Sequence, residues 1–260
     1  MIRIGTAGWS IARAAASEFP GIGSHLERYA RVLPCAEINS SFHRPHARKV
    51  YERWAASTPP SFRFSVKLPR TITHEGELRR SGPLLDAFFA QVSGLGEKLG
   101  ALLVQLPPSQ AFNARVAGTF FSKLRERYSA PVVCEPRHIT WFERRAEQLL
   151  VQYHVATVAT DPSRIKAALH PGGWLPDATT AAESGIVYYR LHGSPRKYWS
   201  RYPLERLRQW ASELNAVPPG TDVWCIFDNT ASGAAIENAL EIMELLSPLS
   251  RRPPSRSPTP

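Results

Sequence analysis

The chain has 260 residues, 43% of them hydrophobic, with 32 Lys and Arg against 22 Asp and Glu for a formal charge of +10. That length suits one α/β barrel. No run approaches the roughly 20 apolar residues of a membrane span, and the N-terminus lacks the basic-then-apolar pattern of a secretory signal, so the expectation is a cytoplasmic protein that does not enter a membrane. Cys35, Cys134 and Cys225 are too widely spaced for a disulfide framework or a zinc motif and read as reduced, buried thiols.

Apolar runs rich in β-branched residues recur along the whole chain. The first predicted strand is Ile2 to Gly8. Ser24 then caps a helix through Leu26, Tyr29, Ala30 and Leu33, which share one face. Strand two is Ala36 to Asn39, followed by a helix over His46 to Ser57. Strand three is Phe62 to Lys67, and a long polar loop leads to a helix with Pro83 in its first turn, where a missing N–H costs nothing. Strand four is Ala101 to Leu106, with a helix over Asn113 to Tyr128. Strand five is Val132 to Glu135, with a helix over Trp141 to Tyr153. Strand six is Val155 to Thr160. From Asp161 to Ser184 the helical signal fails, and HPGGWLPDATT reads as loop, with one short helix at Arg164 to Leu169. Strand seven is Ile186 to His192, with a helix over Pro203 to Leu214. Strand eight is Val223 to Asp228, and Ser232 caps a last helix ending at Leu246.

Eight β-then-α units of roughly thirty residues predict an α/β fold of the (β/α)8 TIM type, with a degenerate helix after strand six. An open doubly wound sheet is the alternative, but no GxGxxG follows the first strand. The barrel is read as one domain over residues 1–247. Residues 248–260, rich in Pro, Ser and Arg, read as a disordered tail.

Most of these strands end in a charged or amide residue. In a parallel barrel those ends meet over one mouth, where chemistry is carried. Alternation puts Glu37, Lys67, Gln105, Glu135, Arg190 and His192 on converging faces, with Asp161 and Asp228 just past their strands. Glu37, Lys67, Glu135 and His192 are the candidate catalytic residues: an acid and a base among the carboxylates, with Lys67, Arg190 and His192 to bind or neutralise charge. Asn39, Gln105 and Asn229 would orient a substrate by hydrogen bonds. EPRHITWF places Arg137, His138 and Trp141 beside Glu135, KLPRTITHE adds Arg70 and His74 to a candidate lid, and Trp9 offers an aromatic wall. Gly193 and Ser194, with Ser232 and Gly233, stand where many barrels hold phosphate. Glu37, Glu135, Asp161, His192 and Asp228 are also metal-ligating residue types, so a divalent metal is the cofactor alternative. No organic cofactor is predicted.

The segments GTAGWS, AEINSSFHRP, FRFSVKLPRTITHE, KLGALLVQLPPS, EPRHITWF, YYRLHGSPRKYW and FDNTASGAAIENAL together span about residues 1–245. In combination they resemble the domain-of-unknown-function 72 family, of the YecE-like type. The resemblance implies a β/α barrel and no agreed activity. Its motifs carry over to Trp9, Glu37, Asn39, Arg44, Lys67, His74, Gln105, Glu135, Arg137, His138, Trp141, Arg190, His192, Gly193 and Asn229; Arg44 joins the substrate-binding candidates on that ground. His43 departs from the family, which usually has an aromatic hydroxyl there, and is left out of the site.

The leading expectation is an enzyme of hydrolase or lyase type acting on an anionic, phosphate-bearing small molecule. A nucleic-acid-binding or repair protein, with phosphates on the basic surface and a base stacked on Trp9 or Trp141, is the second. A non-catalytic metabolite-binding module is the third.

Overall fold

The computed structural model describes residues 1–175 and 185–247. Among these residues ten strands appear in chain order: β1 (Ile2–Ala7), β2 (Cys35–Ile38), β3 (Arg63–Lys67), β4 (Leu99–Gln105), β5 (Val132–Glu135), β6 (Val155–Thr157), β7 (Ala159–Asp161), β8 (Gly172–Gly173), β9 (Ile186–Leu191) and β10 (Asp222–Phe227). The pairing runs β7-β9-β10-β1-β2-β3-β4-β5-β6-β8. Every pair is parallel except β6 with β8.

β6 and β7 are one strand interrupted at Val158. The first half pairs with β5 and the second with β9, so this single stretch closes the ring. The eight staves and their order follow the sequence-based expectation. β8 was not expected, because two glycines carry no strand signal. Here they let one backbone approach another: Gly173 has φ +65°, and a Cβ there would lie 2.6 Å from the Val155 carbonyl oxygen.

The helices are α1 (His25–Ala30), α2 (Ser40–His43), α3 (Arg48–Ala56), α4 (Gly82–Val92), α5 (Ala114–Arg125), α6 (Arg144–Gln152), α7 (Leu204–Ala216) and α8 (Ala234–Leu246). Ser24 forms a capping box with Glu27, its side chain accepting from the Glu27 N–H while the Glu27 carboxylate accepts from the Ser24 N–H. Asn113 accepts from the Val116 N–H at the start of α5. The helix expected over Trp141 to Tyr153 divides into a 3₁₀ turn (Ile139–Phe142) and α6. After strand six the helical element shrinks to a 3₁₀ turn, Lys166–Leu169. Gly233, not Ser232, is the N-cap of α8: Ser232 Oγ instead donates to the Trp199 carbonyl at 2.5 Å. The expected tail at 248–260, and the part of the long loop beyond residue 175, lie outside the described residues.

The described residues form two apolar cores. The larger lies between the outward strand faces and the helices, with Phe62, Phe64, Phe120, Phe121 and Leu207 at its heart. The smaller fills the barrel bore with Cys35, Leu103, Val133, Tyr188, Trp224 and Ile226. Gly5 keeps the bore passable, since a Cβ there would meet Cys35 Sγ at 2.7 Å and the Cys35 carbonyl oxygen closer still.

Candidate functional site

The inward-facing positions of each strand change character toward the carboxyl end. Cys35 is followed by Glu37 on β2, Ser65 by Lys67 on β3 and Leu103 by Gln105 on β4. Val133 is followed by Glu135 on β5, Tyr188 by Arg190 on β9 and Ile226 by Asp228 after β10. The two-residue period of a strand carries the bore from an apolar layer into an ionic one.

Arg190 is the centre of that layer and is 1% exposed. Its Nε lies 3.0 Å from Glu37 Oε2 and its Nη2 2.7 Å from Glu37 Oε1, a bidentate pairing. Nη1 donates to Glu135 Oε2 at 2.5 Å, and Nη2 also reaches Asp228 Oδ2 at 3.0 Å. Below, Tyr188 donates its hydroxyl proton to Glu37 Oε2 at 2.9 Å and sits 2.7 Å from Ser65 Oγ. Beside it, His192 Nδ1 lies 2.9 Å from Asp228 Oδ2, and Arg137 Nε donates to Glu135 Oε1 at 2.8 Å.

Burial opposes each of these charges, and the mutual pairing overrides it. Burial would raise the Glu135 carboxyl, yet Arg190 and Arg137 hold it well below the ordinary value. Burial likewise opposes the Asp228 carboxylate, which Arg190 and His192 keep low. The Arg190 guanidinium is driven up by Glu37, Glu135 and Asp228 against the cost of its own burial.

Lys67 is different. Its Nζ lies 3.9 Å from the centre of the Phe42 ring, a cation–π contact, and among the described residues no carboxylate comes within ion-pairing distance of it. Burial first, and the positive charge of Arg190 second, push its amine down to about 8.

Above this layer opens a cavity of about 470 Å³ lined by Asn39, Phe42, His43, Lys67, Arg70, His74, Gln105, Arg137, Tyr198 and Asp228. Asp228 is its one lining acid among the described residues. Arg70 is half exposed and pairs with Glu75 at 3.0 Å. His74 is held down by burial and by Lys67 and Arg137. The Asn39 Oδ1 is buried and takes no hydrogen bond among the described residues. On the far side of Arg137 a second hollow of about 560 Å³ is lined by Arg164 and Lys197 among others.

Of the residues singled out by sequence, Lys67, Asn39, Gln105, His74 and Arg137 line the cavity. Glu37, Glu135, Arg190 and His192 form its floor, all almost wholly buried. Seven others lie apart. Trp141 is 1% exposed, and its indole N–H donates to the Gln110 carbonyl at 2.9 Å, so it packs the helix layer. His138 faces Thr140 at the start of its 3₁₀ turn. Trp9 stacks edge-on against Trp54 and Phe64. Asn229 donates to the Ser200 carbonyl and to Asn238, tying β10 to α8. Arg44 is solvent-exposed and does not line the cavity. Asp161 is spent on Tyr202 and Arg206. The Gly193 N–H, expected near a phosphate, instead donates to the Tyr202 hydroxyl.

Phe42, His43 and Tyr198 line the cavity without having been selected by sequence. Phe42 and His43 stand on α2, a helix of four residues too short to leave a periodic signal. Tyr198 sits in a loop with φ +66° and donates its backbone N–H to the His192 carbonyl, a backbone state that side-chain patterning does not announce.

A metal fits this floor poorly. The point between the three carboxylates is filled by the Arg190 guanidinium, and among the described residues no group of three or more His, Cys, Asp or Glu side chains is placed to hold an ion. No helix among them is long and apolar enough to cross a membrane.

The fold and this mouth define a parallel β/α barrel with an ionic floor under its carboxyl-end cavity. The chain belongs to the family described as "Protein of unknown function DUF72", whose model matches residues 3–260. It is 23% identical over 275 residues to the UPF0759 protein YunF of Bacillus subtilis (strain 168), covering 95% of both chains. It is also 36% identical over 107 residues to the UPF0759 protein YecE of Escherichia coli (strain K12), covering 41% of this chain and 38% of that one. Among solved structures, a DUF72 family protein of Enterococcus faecalis V583 superposes with a TM-score of 0.76 at 21% identity, covering 95% of each chain. One from Thermotoga maritima MSB8 does so with a TM-score of 0.75 at 23% identity, covering 95% of this chain and 99% of that one. These likenesses concern the fold.

Proposed function

We propose that this chain is an enzyme that takes a small phosphate-bearing substrate into the cavity at the barrel mouth and works on it by proton transfer. The observation that carries the reading is the company kept in that cavity: a desolvated lysine with no carboxylate partner beside the fixed guanidinium of Arg137. A volume of about 470 Å³ is of small-ligand size. Arg137 and Arg70 supply permanent positive charge at its wall, in the planar geometry that suits phosphate oxygens. Lys67, with an amine at about 8, has both protonation states available near neutrality, which suits a group that must both take up and give back a proton. Asp228, joined to His192, is the carboxylate that reaches the cavity.

Glu37 and Glu135 then serve as positioning residues. Their oxygens are taken up by Arg190, Tyr188 and Arg137, so they hold the floor in place and leave the proton work to groups that line the cavity. A purely structural rim would not need this layer, because buried ion pairs contribute little net stability over apolar packing.

The test uses inorganic phosphate as probe. The phosphorus resonance should broaden on adding the protein and sharpen again with Arg137→Gln. A resonance that stays sharp with the unmodified chain at low salt would refute the reading.

A further inference from the structure

We infer that Lys67 is a covalent nucleophile and that the substrate carries an aldehyde or ketone beside its phosphate, so that the chain forms an imine with it. This rests on the anionic-substrate reading above and names the chemistry of the same cavity.

Three observations point to a nucleophile. The amine is placed inside the cavity, at the last residue of β3, with an aromatic face 3.9 Å to one side and no carboxylate in contact among the described residues. Glu135, Glu37 and Asp228 act on Lys67 only from beyond contact distance, and burial outweighs them, so the amine is not held as one half of an ion pair. On the reading above, anion binding falls to the outward N–H groups of Arg70 and Arg137, guanidiniums that do not lose their protons. That leaves the lysine for a task needing a lone pair. Finally, proton handling is at hand, since Asp228 lines the same cavity with His192 Nδ1 2.9 Å from its Oδ2. With the amine at about 8 against an ordinary lysine near 10.5, roughly 300-fold more of it is neutral at pH 7.

The step balances without any redox partner. The Lys67 nitrogen lone pair attacks the carbonyl carbon, and the carbonyl oxygen takes up a proton to give a carbinolamine. The nitrogen loses a proton, a second proton joins the hydroxyl, and the C–O bond breaks to release water. A C=N bond to Lys67 remains, still carrying the one proton left on its nitrogen, and this cationic imine is the electron sink for breaking a neighbouring C–H or C–C bond. Asp228 with His192 is the pair placed to relay those protons.

The full chain is incubated at pH 7 with glycolaldehyde phosphate and cyanoborohydride, which reduces an imine to a stable secondary amine, and modified lysines are mapped by mass spectrometry. Lys67 should be modified at least tenfold faster than the exposed Lys49. The rate at Lys67 should fall about tenfold with unphosphorylated glycolaldehyde or with Arg137→Gln, while Lys49 is unchanged. Modification of Lys67 no faster than Lys49 would overturn the inference. If inorganic phosphate still broadens in that event, the covalent step alone is wrong. If it does not, the anionic-substrate reading fails and takes this inference with it.

Discussion

The two layers of the barrel bore obey the same strand geometry and do opposite things. The apolar layer is closed by Tyr188 stacked on Trp224, ring centres 5.9 Å apart, with Leu103, Val133 and Ile226 around them. At its outer end the only ion pair described is Arg3 with Asp222 at 3.0 Å, partly exposed, whose acid also accepts from the Trp224 indole N–H. Two residues further along the strands, the ionic layer buries three carboxylates around one guanidinium. Since alternation and pairing are common to both, the fold does not require the charges. Hydrophobic side chains at those positions would close the bore at less desolvation cost. Under the function proposed above, that difference marks the layer set aside for chemistry.

Four substitutions sharpen that contrast. Arg190→Met leaves Glu37 buried with no cation, and Glu135 and Asp228 with only Arg137 and His192 beside them, and should cost about 3–5 kcal/mol in urea unfolding. A loss under about 1 kcal/mol would mean that the carboxylates find water or protons instead. Leu103→Ala, in the apolar layer, should cost about 2–5 kcal/mol through lost burial and a residual cavity, yet leave phosphate broadening unaltered. Lost broadening would show that the two layers are not separable.

Lys67→Met should stabilise the chain by about 1–3 kcal/mol at pH 7. The sign follows from the depressed amine. Below about 8 the folded chain carries the full cost of a buried charge. Between there and the ordinary lysine value, the unfolded chain holds more protons, so stability of the unmodified chain climbs with pH and the advantage of methionine fades. Equal thermal midpoints at pH 7 would contradict a desolvated lysine. Arg3→Gln, at the other end, should cost only about 1 kcal/mol, because that pair is partly in water. A loss as large as that of Arg190→Met would erase the distinction between the ends.

How much of this was legible follows from which signals are local. The inward positions of Glu37, Lys67, Gln105, Glu135 and Arg190 follow from counting by twos along strands, and counting survives folding. Which of them touch does not follow. Glu37 and Arg190 are 153 residues apart in the chain and share a bidentate pairing. Residue type marks the carboxylates as candidate acid and base, whereas the occupation of their oxygens by Arg190, Arg137 and Tyr188 is a property of the folded chain. Trp141 and Asn229 carried polar or aromatic groups near strand ends, but a residue just past a strand can turn toward the helices, as both do. Phe42 and His43 needed a single helical turn after β2 to enter the cavity.

The clasp around Arg190 also gives the mouth a constant electrical background. Its guanidinium is driven upward, and the Glu135 and Asp228 carboxyls downward, so these charges persist from mildly acid to strongly alkaline water. Against such a background, a titration of the cavity around pH 8 reads Lys67 without interference from the acids beneath it.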